Sequence, residues 1–439
     1  MMFADTIVAL SSGALPAGVA VVRLSGPAVI DVVSKLVGSV PPPRTACYAA
    51  LHLPDGSVLD CGLVLYFPAP ASFTGEDCAE FQLHGGRAVV QALLKHVASL
   101  PGCRLASAGE FTRRAFLNGK MDLLAAEAAA DIISAETEAQ RRFAVANSQG
   151  RNSELYASWR TRLLRARAFV EAELDFVDES DVPDAAAQAV WSDIDALVGE
   201  IDRHIDGFKK AEIVREGFDV VLLGAPNAGK SSLLNALAQR EAAIVTDEPG
   251  TTRDLIEVVL DIEGSKVRVT DTAGIRDATG KVEQLGIQRA RERASRAQLV
   301  LLLEDVGLDS PEVVLPKGKP FLRIGTKIDL CDGRPPNGYD HLVSCLTGDG
   351  LTELARAMGD AAKAAEPVAG ELIPWRLRHV ELLAEAVGHL RRAVEGERLP
   401  LELRSEEMRL AANALGTITG SIDVEDLLDV IFGQFCIGK

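Results

Sequence analysis

The chain has 439 residues, 47% hydrophobic and 25% charged, a mixture that builds packed cores and excludes a mainly disordered protein. Its 46 basic and 63 acidic residues leave a formal charge of −17, which argues against a surface that coats nucleic acid by general phosphate neutralisation but permits a local basic patch. The seven cysteines (Cys47, Cys61, Cys78, Cys103, Cys331, Cys345 and Cys436) contain no CxxC pair, so no zinc site of ordinary spacing is expected, and their odd, scattered placement fits a reducing cytoplasm.

The opening MMFADTIVAL has no basic stretch ahead of an apolar core and does not read as a secretory signal. The longest apolar runs, such as Leu299–Leu303, fall far short of the roughly 20 residues that a membrane span requires, so no span is expected. Residues 1–118 read as mixed α/β. Val19–Leu24 is a short apolar strand closed by Ser25-Gly26-Pro27, and Leu63–Phe67 is another, stopped by Pro68 and Pro70. Ala88–Leu100 has helical spacing and ends at Pro101-Gly102. From Met121 the composition turns to Ala, Leu, Glu and Arg, and the spacing predicts helices over 121–146, 151–175 and 186–209. Arg160, Arg162, Arg165 and Arg167 form a basic run beside Trp159. At 5% aromatic residues, extensive base stacking is not expected.

A new pattern begins at Phe218. Strand-like runs at 218–223, 256–262, 266–270, 299–303 and 321–324 alternate with helical stretches at 230–239, 283–297 and 351–364, which predicts a mostly parallel sheet covered by helices. Helical texture returns at 375–396 and 405–435. The fold class expected is therefore α/β plus α: an N-terminal α/β domain (1–118), a discontinuous helical domain (119–215 and 371–439) and an inserted Ras-like P-loop domain (216–370).

The inserted domain carries the chemistry. Gly224-Ala225-Pro226-Asn227-Ala228-Gly229-Lys230-Ser231 fits GxxxxGK[ST] between an apolar strand and a helix. Its glycines let backbone N–H groups wrap phosphates, Lys230 reaches the β/γ oxygens, and the Ser231 hydroxyl is a Mg²⁺ ligand. Asp271-Thr272-Ala273-Gly274 ends a strand as a DxxG switch does, and Thr252, in Gly250-Thr251-Thr252-Arg253-Asp254, is placed to supply a second Mg²⁺ hydroxyl. Thr326-Lys327-Ile328-Asp329 resembles the guanine motif NKxD: Asp329 accepts hydrogen bonds from guanine N1 and N2 that adenine cannot offer. Ser344-Cys345-Leu346 stands where a loop closes over the base. This order of motifs indicates a GTPase. Ile275 follows DTAG where Ras-like proteins place a water-orienting Gln, so another group must position the water.

Together with VAVVRLSG (19–26), FTGEDCAEFQLHGG (73–86), GEFTRRAFLNGKMDLLAAEA (109–128), GAPNAGKSSLLNAL, IVTDEPGTTRD, DTAGIRDATGKVEQLGI and Cys436-Ile437-Gly438-Lys439, these motifs make the chain resemble the MnmE (TrmE) family of tRNA-modification GTPases over nearly its whole length. The resemblance implies a cytoplasmic homodimer acting with an FAD protein of the MnmG type in a heterotetramer. The pair would add an aminomethyl-type group, its carbon supplied by a tetrahydrofolate derivative, to C5 of the wobble uridine (position 34) of tRNA. It further implies a GTP/GDP site that includes Asn227, Ala228, Gly229, Lys230, Ser231, Ser232, Thr246, Asp247, Glu248, Pro249, Gly250, Thr251, Thr252, Asp271, Thr272, Ala273, Gly274, Thr326, Lys327, Asp329, Ser344, Cys345 and Leu346. K⁺ would be held by Asn227, Thr246, Glu248 and Thr251, and Glu283 would orient the attacking water. Arg23, Glu80, Lys120 and Lys439 match the positions that hold the folate. Three departures stand out: SSGALPAG (11–18) replaces a TPPGRGG-like loop, Thr326 replaces Asn, and Glu248-Pro249 alters the potassium loop, where Pro249 stiffens the backbone and the Glu248 carbonyl can still be a ligand. A different reading, a regulatory GTPase switch that only recruits partners, shares the nucleotide motifs but not the outer ones.

Overall fold

The computed structural model describes residues 3–175, 184–244, 256–271, 292–308, 315–331, 337–396, 399–422, 425–433, 435 and 438. Contacts divide the chain into two compact units, one of Met1–Ala130, Ser153–Arg162 and Ala412–Lys439, the other of Asp131–Asn152 and Leu163–Ala411.

The first unit holds a six-stranded sheet built from β1 (Thr6–Leu10), β2 (Ala17–Ser25), β3 (Cys47–His52), β4 (Val58–Phe67), β5 (Cys78–Gly85) and β6 (Cys103–Leu105), in the spatial order β3-β4-β5-β2-β1-β6. Strand β2 shows why one face is covered. Ala20, Val22 and Leu24 are buried, whereas Val19, Val21 and Arg23 point the other way, the period of two that a pleated strand imposes. The inward residues pack under α1 (Val29–Val37) and α2 (Arg87–Ala98) in a core that includes Leu36, Leu51, Phe81 and Leu93. Helix α1 stops at Gly38, whose φ of 82° is the left-handed conformation that closes a helix at low cost. On the opposite face, β2 and β5 bring Arg23 directly across from Glu80.

Two more helices of this unit, α3 (Glu110–Leu117) and α4 (Leu123–Ser134), the latter continuing past the unit's boundary at Ala130, follow the sheet. The expected helix over 121–146 is interrupted: α4 ends at Ser134 and α5 (Glu138–Ser148) begins afresh. The cause is a capping box, in which Thr137 accepts from the Gln140 backbone N–H while the Gln140 side chain reaches back to the Thr137 N–H. The helical stretches that follow are α6 (Arg151–Asp175), α7 (Asp184–Asp206) and α8 (Phe208–Glu216).

The second unit contains a seven-stranded sheet of β7 (Phe218–Gly224), β8 (Ala242–Ala243), β9 (Ile256–Ile262), β10 (Ser265–Asp271), β11 (Leu299–Asp305), β12 (Phe321–Thr326) and β13 (His341–Val343), ordered β13-β12-β11-β7-β10-β9-β8. Strands β10, β7, β11, β12 and β13 run parallel, while β9 and β8 extend the sheet antiparallel. Buried on both faces, β7 and β11 read as continuous Val/Leu runs instead of alternating ones. Helices α9 (Lys230–Arg240) and α10 (Leu351–Ala365) cover one face through Leu233, Leu237, Leu354 and Met358. The remaining helices are α11 (Leu377–Glu395), α12 (Leu401–Thr419) and α13 (Glu425–Gly433), so the expected stretch 405–435 is two helices. Among the described residues, no helix is long and apolar enough to cross a membrane.

Candidate functional site

Strand β7 is flanked by β10 on one side and β11 on the other, and chain order reverses there, which places its C-terminal end at the crevice where open α/β sheets bind ligands. The loop Gly224–Gly229 leaves this end. A side chain at Gly224 would sit 2.5 Å from the Leu303 carbonyl, and Gly229, at φ +89°, opens α9. Asn227 is also left-handed, at φ +64°, an uncommon conformation for a residue with a side chain. The loop thus turns its backbone toward the start of α9, whose unpaired N–H groups and dipole favour an anion.

Lys230 is 7% exposed and its Nζ donates to the carbonyls of Gly224 and Ala225, each at 2.9 Å. Burial pulls its pKa below the ordinary lysine value, and the neighbouring Asp271 opposes that shift. Ser231 Oγ donates to Asp271 Oδ2 at 2.6 Å, so the hydroxyl and the carboxylate meet at the end of β10. A hydroxyl beside a carboxylate is the hard-oxygen chemistry that Mg²⁺ takes when phosphates complete its shell. Ser232 lies on the exposed side of α9.

The residues expected to recognise the base converge from β12 and β13. Thr326 is buried at the end of β12, and its Oγ1 lies 2.9 Å from the Ala228 carbonyl and 3.2 Å from that of Glu304. Asp329 Oδ1 accepts from Ser344 Oγ at 2.5 Å, and Ser344 Oγ in turn accepts the backbone N–H groups of Leu346 and Thr347. The Cys345 thiol is pushed up by burial, and the Asp329 charge adds to the shift. Leu346 is 84% exposed, an apolar lip beside this loop. Lys327 pairs with Asp305 at 2.8 Å, a partner that no motif announces.

In the first unit, Arg23 bonds Glu80 through Nε at 3.0 Å and Nη2 at 2.8 Å. Lys120 Nζ donates to the Pro70 carbonyl at 2.9 Å, on the loop that also carries Phe73, over which the Arg23 guanidinium lies at 5.4 Å. The sequence does not single out Phe73 or the buried Arg114 that supports its loop; the motifs FTGED and EFTRRAF contain both, but only pairing of distant segments shows that they serve one place. Trp159 is 4% exposed and its neighbours Arg160, Arg162 and Arg167 are half-buried, with Arg165 exposed, so the basic run offers no open indole. Thr246, Asp247, Glu248, Pro249, Gly250, Thr251, Thr252, Thr272, Ala273, Gly274, Glu283, Cys436 and Lys439 lie outside the described residues.

Comparison with known proteins bears on the whole chain. Residues 6–120 match the family described as GTP-binding protein TrmE N-terminus, and residues 123–436 match the MnmE helical domain. The chain belongs to the MnmE family of tRNA modification GTPases. A tRNA modification GTPase MnmE of Mesorhizobium japonicum is 59% identical, covering 100% of this chain and 100% of that protein. The protein of the same name from Chelativorans sp. is 57% identical over 99% of this chain and 98% of its own length. Among solved structures, the G domain of the T. maritima FeoB iron transporter is 26% identical over 33% of this chain and 98% of that one, with a TM-score of 0.23. The fold class read from the sequence, α/β domains combined with helices, agrees with this membership and with the two sheets.

Proposed function

We propose that the chain is a potassium-activated GTP hydrolase which, with an FAD-dependent partner of the MnmG type, adds a folate-derived aminomethyl-type group to C5 of the tRNA wobble uridine (position 34). The observation that carries this reading is the coexistence, in one chain similar to MnmE over its full length, of the phosphate loop with Ser231 against Asp271 and of the Arg23–Glu80 pair on a separate sheet.

The nucleotide residues divide the work. Backbone N–H groups of Asn227–Ser231 and the Lys230 ammonium hold the phosphates, and Asp329, held by Ser344, reads the guanine edge. Ser231 and Thr252 would hold Mg²⁺, which spreads the β/γ charge when bound. Asn227, Thr246, Glu248 and Thr251 would hold K⁺, whose charge does the work of an arginine finger. Glu283 orients the attacking water, since Ile275 cannot. In the other unit Arg23, Glu80, Lys120 and Lys439 would hold the folate. The domain division 1–118, 119–215, 216–370 and 371–439 belongs to this reading. A homodimer is supported by the outward face of the first sheet, where Val19, Tyr48 and Leu63 are 58%, 75% and 38% exposed.

The test has two arms. GTP turnover by the purified protein, compared in KCl and NaCl at equal ionic strength, is expected to be much faster with K⁺; equal rates would remove the potassium assignment. Nucleoside analysis of tRNA from a strain lacking the gene is expected to show loss of the C5 modification. Intact modified uridine would favour the partner-recruiting switch instead.

A further inference from the structure

Loop 70–77 of the first unit is held by more buried charge than a small domain ordinarily tolerates. Arg114 is fully buried and donates to the Asp5 carbonyl at 2.9 Å, Asp5 Oδ1 at 2.8 Å, Glu110 Oε1 at 3.0 Å and Glu76 Oε2 at 3.2 Å. Glu76 Oε2 also accepts Ser25 Oγ at 2.6 Å, and the Ser25 and Thr74 hydroxyls are bonded at 2.7 Å. Ser72 Oγ donates to the Glu76 carbonyl. From α3 and the turn after it, Asn118 Nδ2 donates to the Thr74 carbonyl at 2.7 Å and Lys120 Nζ to that of Pro70 at 2.9 Å. Buried ions seldom stabilise a fold more than apolar groups of the same size would, and Arg114 Nε is left without a hydrogen-bond partner among the described residues, so the network is better explained by the shape it holds.

What it holds out is Phe73. The ring is 41% exposed, and the guanidinium of Arg23 lies 5.4 Å from its centroid and 5.9 Å from that of the buried Phe111. Both contacts from Arg23 to Glu80 fall on Oε1, which leaves Oε2 open among the described residues. An exposed phenylalanine alone needs no explanation. Here it stands on a rigid loop, beside a half-buried carboxylate with an open oxygen, and on the same loop that Lys120 grips. That combination suits a flat heterocycle with adjacent N–H donors and an anionic tail: π surface for the ring, carboxylate for the N–H edge, ammonium for the tail.

We propose that Phe73 is the stacking platform for the pterin ring of the reduced folate. The inference rests on the folate reading above and adds a residue to it.

Equilibrium binding to the purified full-length protein tests it, with two probes: 5-formyltetrahydrofolate, which has ring and tail, and tetrahydropterin, which has the ring alone. Phe73→Ala and Phe73→Leu are expected to weaken both probes about tenfold or more, the scale of a lost aromatic stack, while Phe73→Tyr stays within about threefold of wild type. Lys120→Ala is expected to weaken the folate but not the pterin. Melting temperatures of the Phe73 variants near that of wild type show that the loop, being exposed there, still folds. Wild-type affinity in Phe73→Ala, or in the apolar but non-aromatic Phe73→Leu, overturns the platform and leaves the folate site standing. Failure of the wild-type protein to bind the folate at all overturns the folate reading and the platform with it.

Discussion

Thr326 shows how one residue decides the rigidity of the nucleotide site. Its hydroxyl has a single hydrogen, and the two carbonyls within reach, Ala228 at 2.9 Å and Glu304 at 3.2 Å, compete for it. The base loop is thereby tied to the phosphate loop, and no donor remains on this side chain for the nucleobase. In the function proposed above, discrimination would fall to Asp329, whose carboxylate adenine would leave unpaired. Thr326→Val keeps the shape but leaves the buried Ala228 carbonyl without its donor, at a cost of about 1–2 kcal/mol. Displacement of a fluorescent GDP analogue should show roughly tenfold weaker GDP binding, with Thr326→Ser close to wild type. The preference for GDP over ADP should survive in all three proteins; its collapse in Thr326→Val would mean that the threonine itself reads the base.

At the scale of elements, helices α4 and α8 and the segment entering α11 are joined through one shared carboxylate. Asp131 Oδ1 lies 2.6 Å from Arg376 Nη2, just before α11, and 3.9 Å from Arg215 Nε, near the end of α8. One carboxylate therefore faces the segment that enters the sheet domain and the segment that leaves it. With the Asp131 and Arg376 side chains only 17% and 19% exposed, Asp131→Ala strands a largely buried guanidinium. We expect a loss of about 2–4 kcal/mol in urea unfolding, and a smaller one in Asp131→Asn. A midpoint equal to wild type would show that the junction is held elsewhere.

His204 on α7 belongs to the same region. It is 8% exposed, and its pKa is pushed down to about 4, first by burial and then by the nearby His379, against a backbone hydrogen bond with Leu372. The folded value lies below the unfolded one of about 6.5, so the folded state prefers the neutral ring. Its contribution is constant above pH about 6.5 and is lost as pH falls from there toward 4, by up to about 3 kcal/mol in all. His204→Leu should flatten the stability profile in that window relative to wild type; parallel profiles would show that His204 titrates normally.

At the scale of the whole first unit, residues more than 400 apart in sequence meet. Ser11 Oγ donates to the Gly438 carbonyl at 2.7 Å. Gly438 has φ +99°, and a Cβ there would sit 1.9 Å from the Leu10 carbonyl, so only glycine fits. Helix α13 leads to this contact: Phe432 and Phe435 pack with Leu123 and Leu428, and a Cβ at Gly109, where α3 begins, would meet the Phe432 carbonyl at 2.3 Å. Gly438→Ala should therefore displace the backbone at position 438 from Leu10 and Ser11, at the end of β1 in the sheet that carries Arg23 and Glu80. We expect tRNA modification to fall at least about tenfold, with GTP turnover unchanged, because a clash of this size cannot be absorbed without moving the backbone. Removal of Cys436–Lys439 should do the same. Modified wobble uridine at wild-type levels in cells carrying either variant would dissociate the tail from the reaction.

The local motifs are legible in the amino-acid sequence itself. The phosphate loop and the strands 218–223, 299–303 and 321–324 emerge from apolar runs and turn residues that need no distant partner to be recognised. The resemblance to MnmE follows from contiguous strings such as FTGEDCAEFQLHGG, and it points to Arg23, Glu80 and Lys120 without showing how they meet. Short strands such as β1, β3 and β6 do not stand out in the sequence, since each is stabilised by pairing with a segment far along the chain, as Thr6–Val8 is by Cys103–Leu105. The break before α5 is hidden because the residues of 121–146 favour helix and only the Thr137–Gln140 cap interrupts them. Tertiary structure alone decides the placing of Phe73 on its loop, of Arg114 in the network that supports it and of Gly438 against Leu10. Periodicity reports which face a residue takes within its own element, whereas a site assembled from segments tens or hundreds of residues apart exists only once packing has brought those faces together.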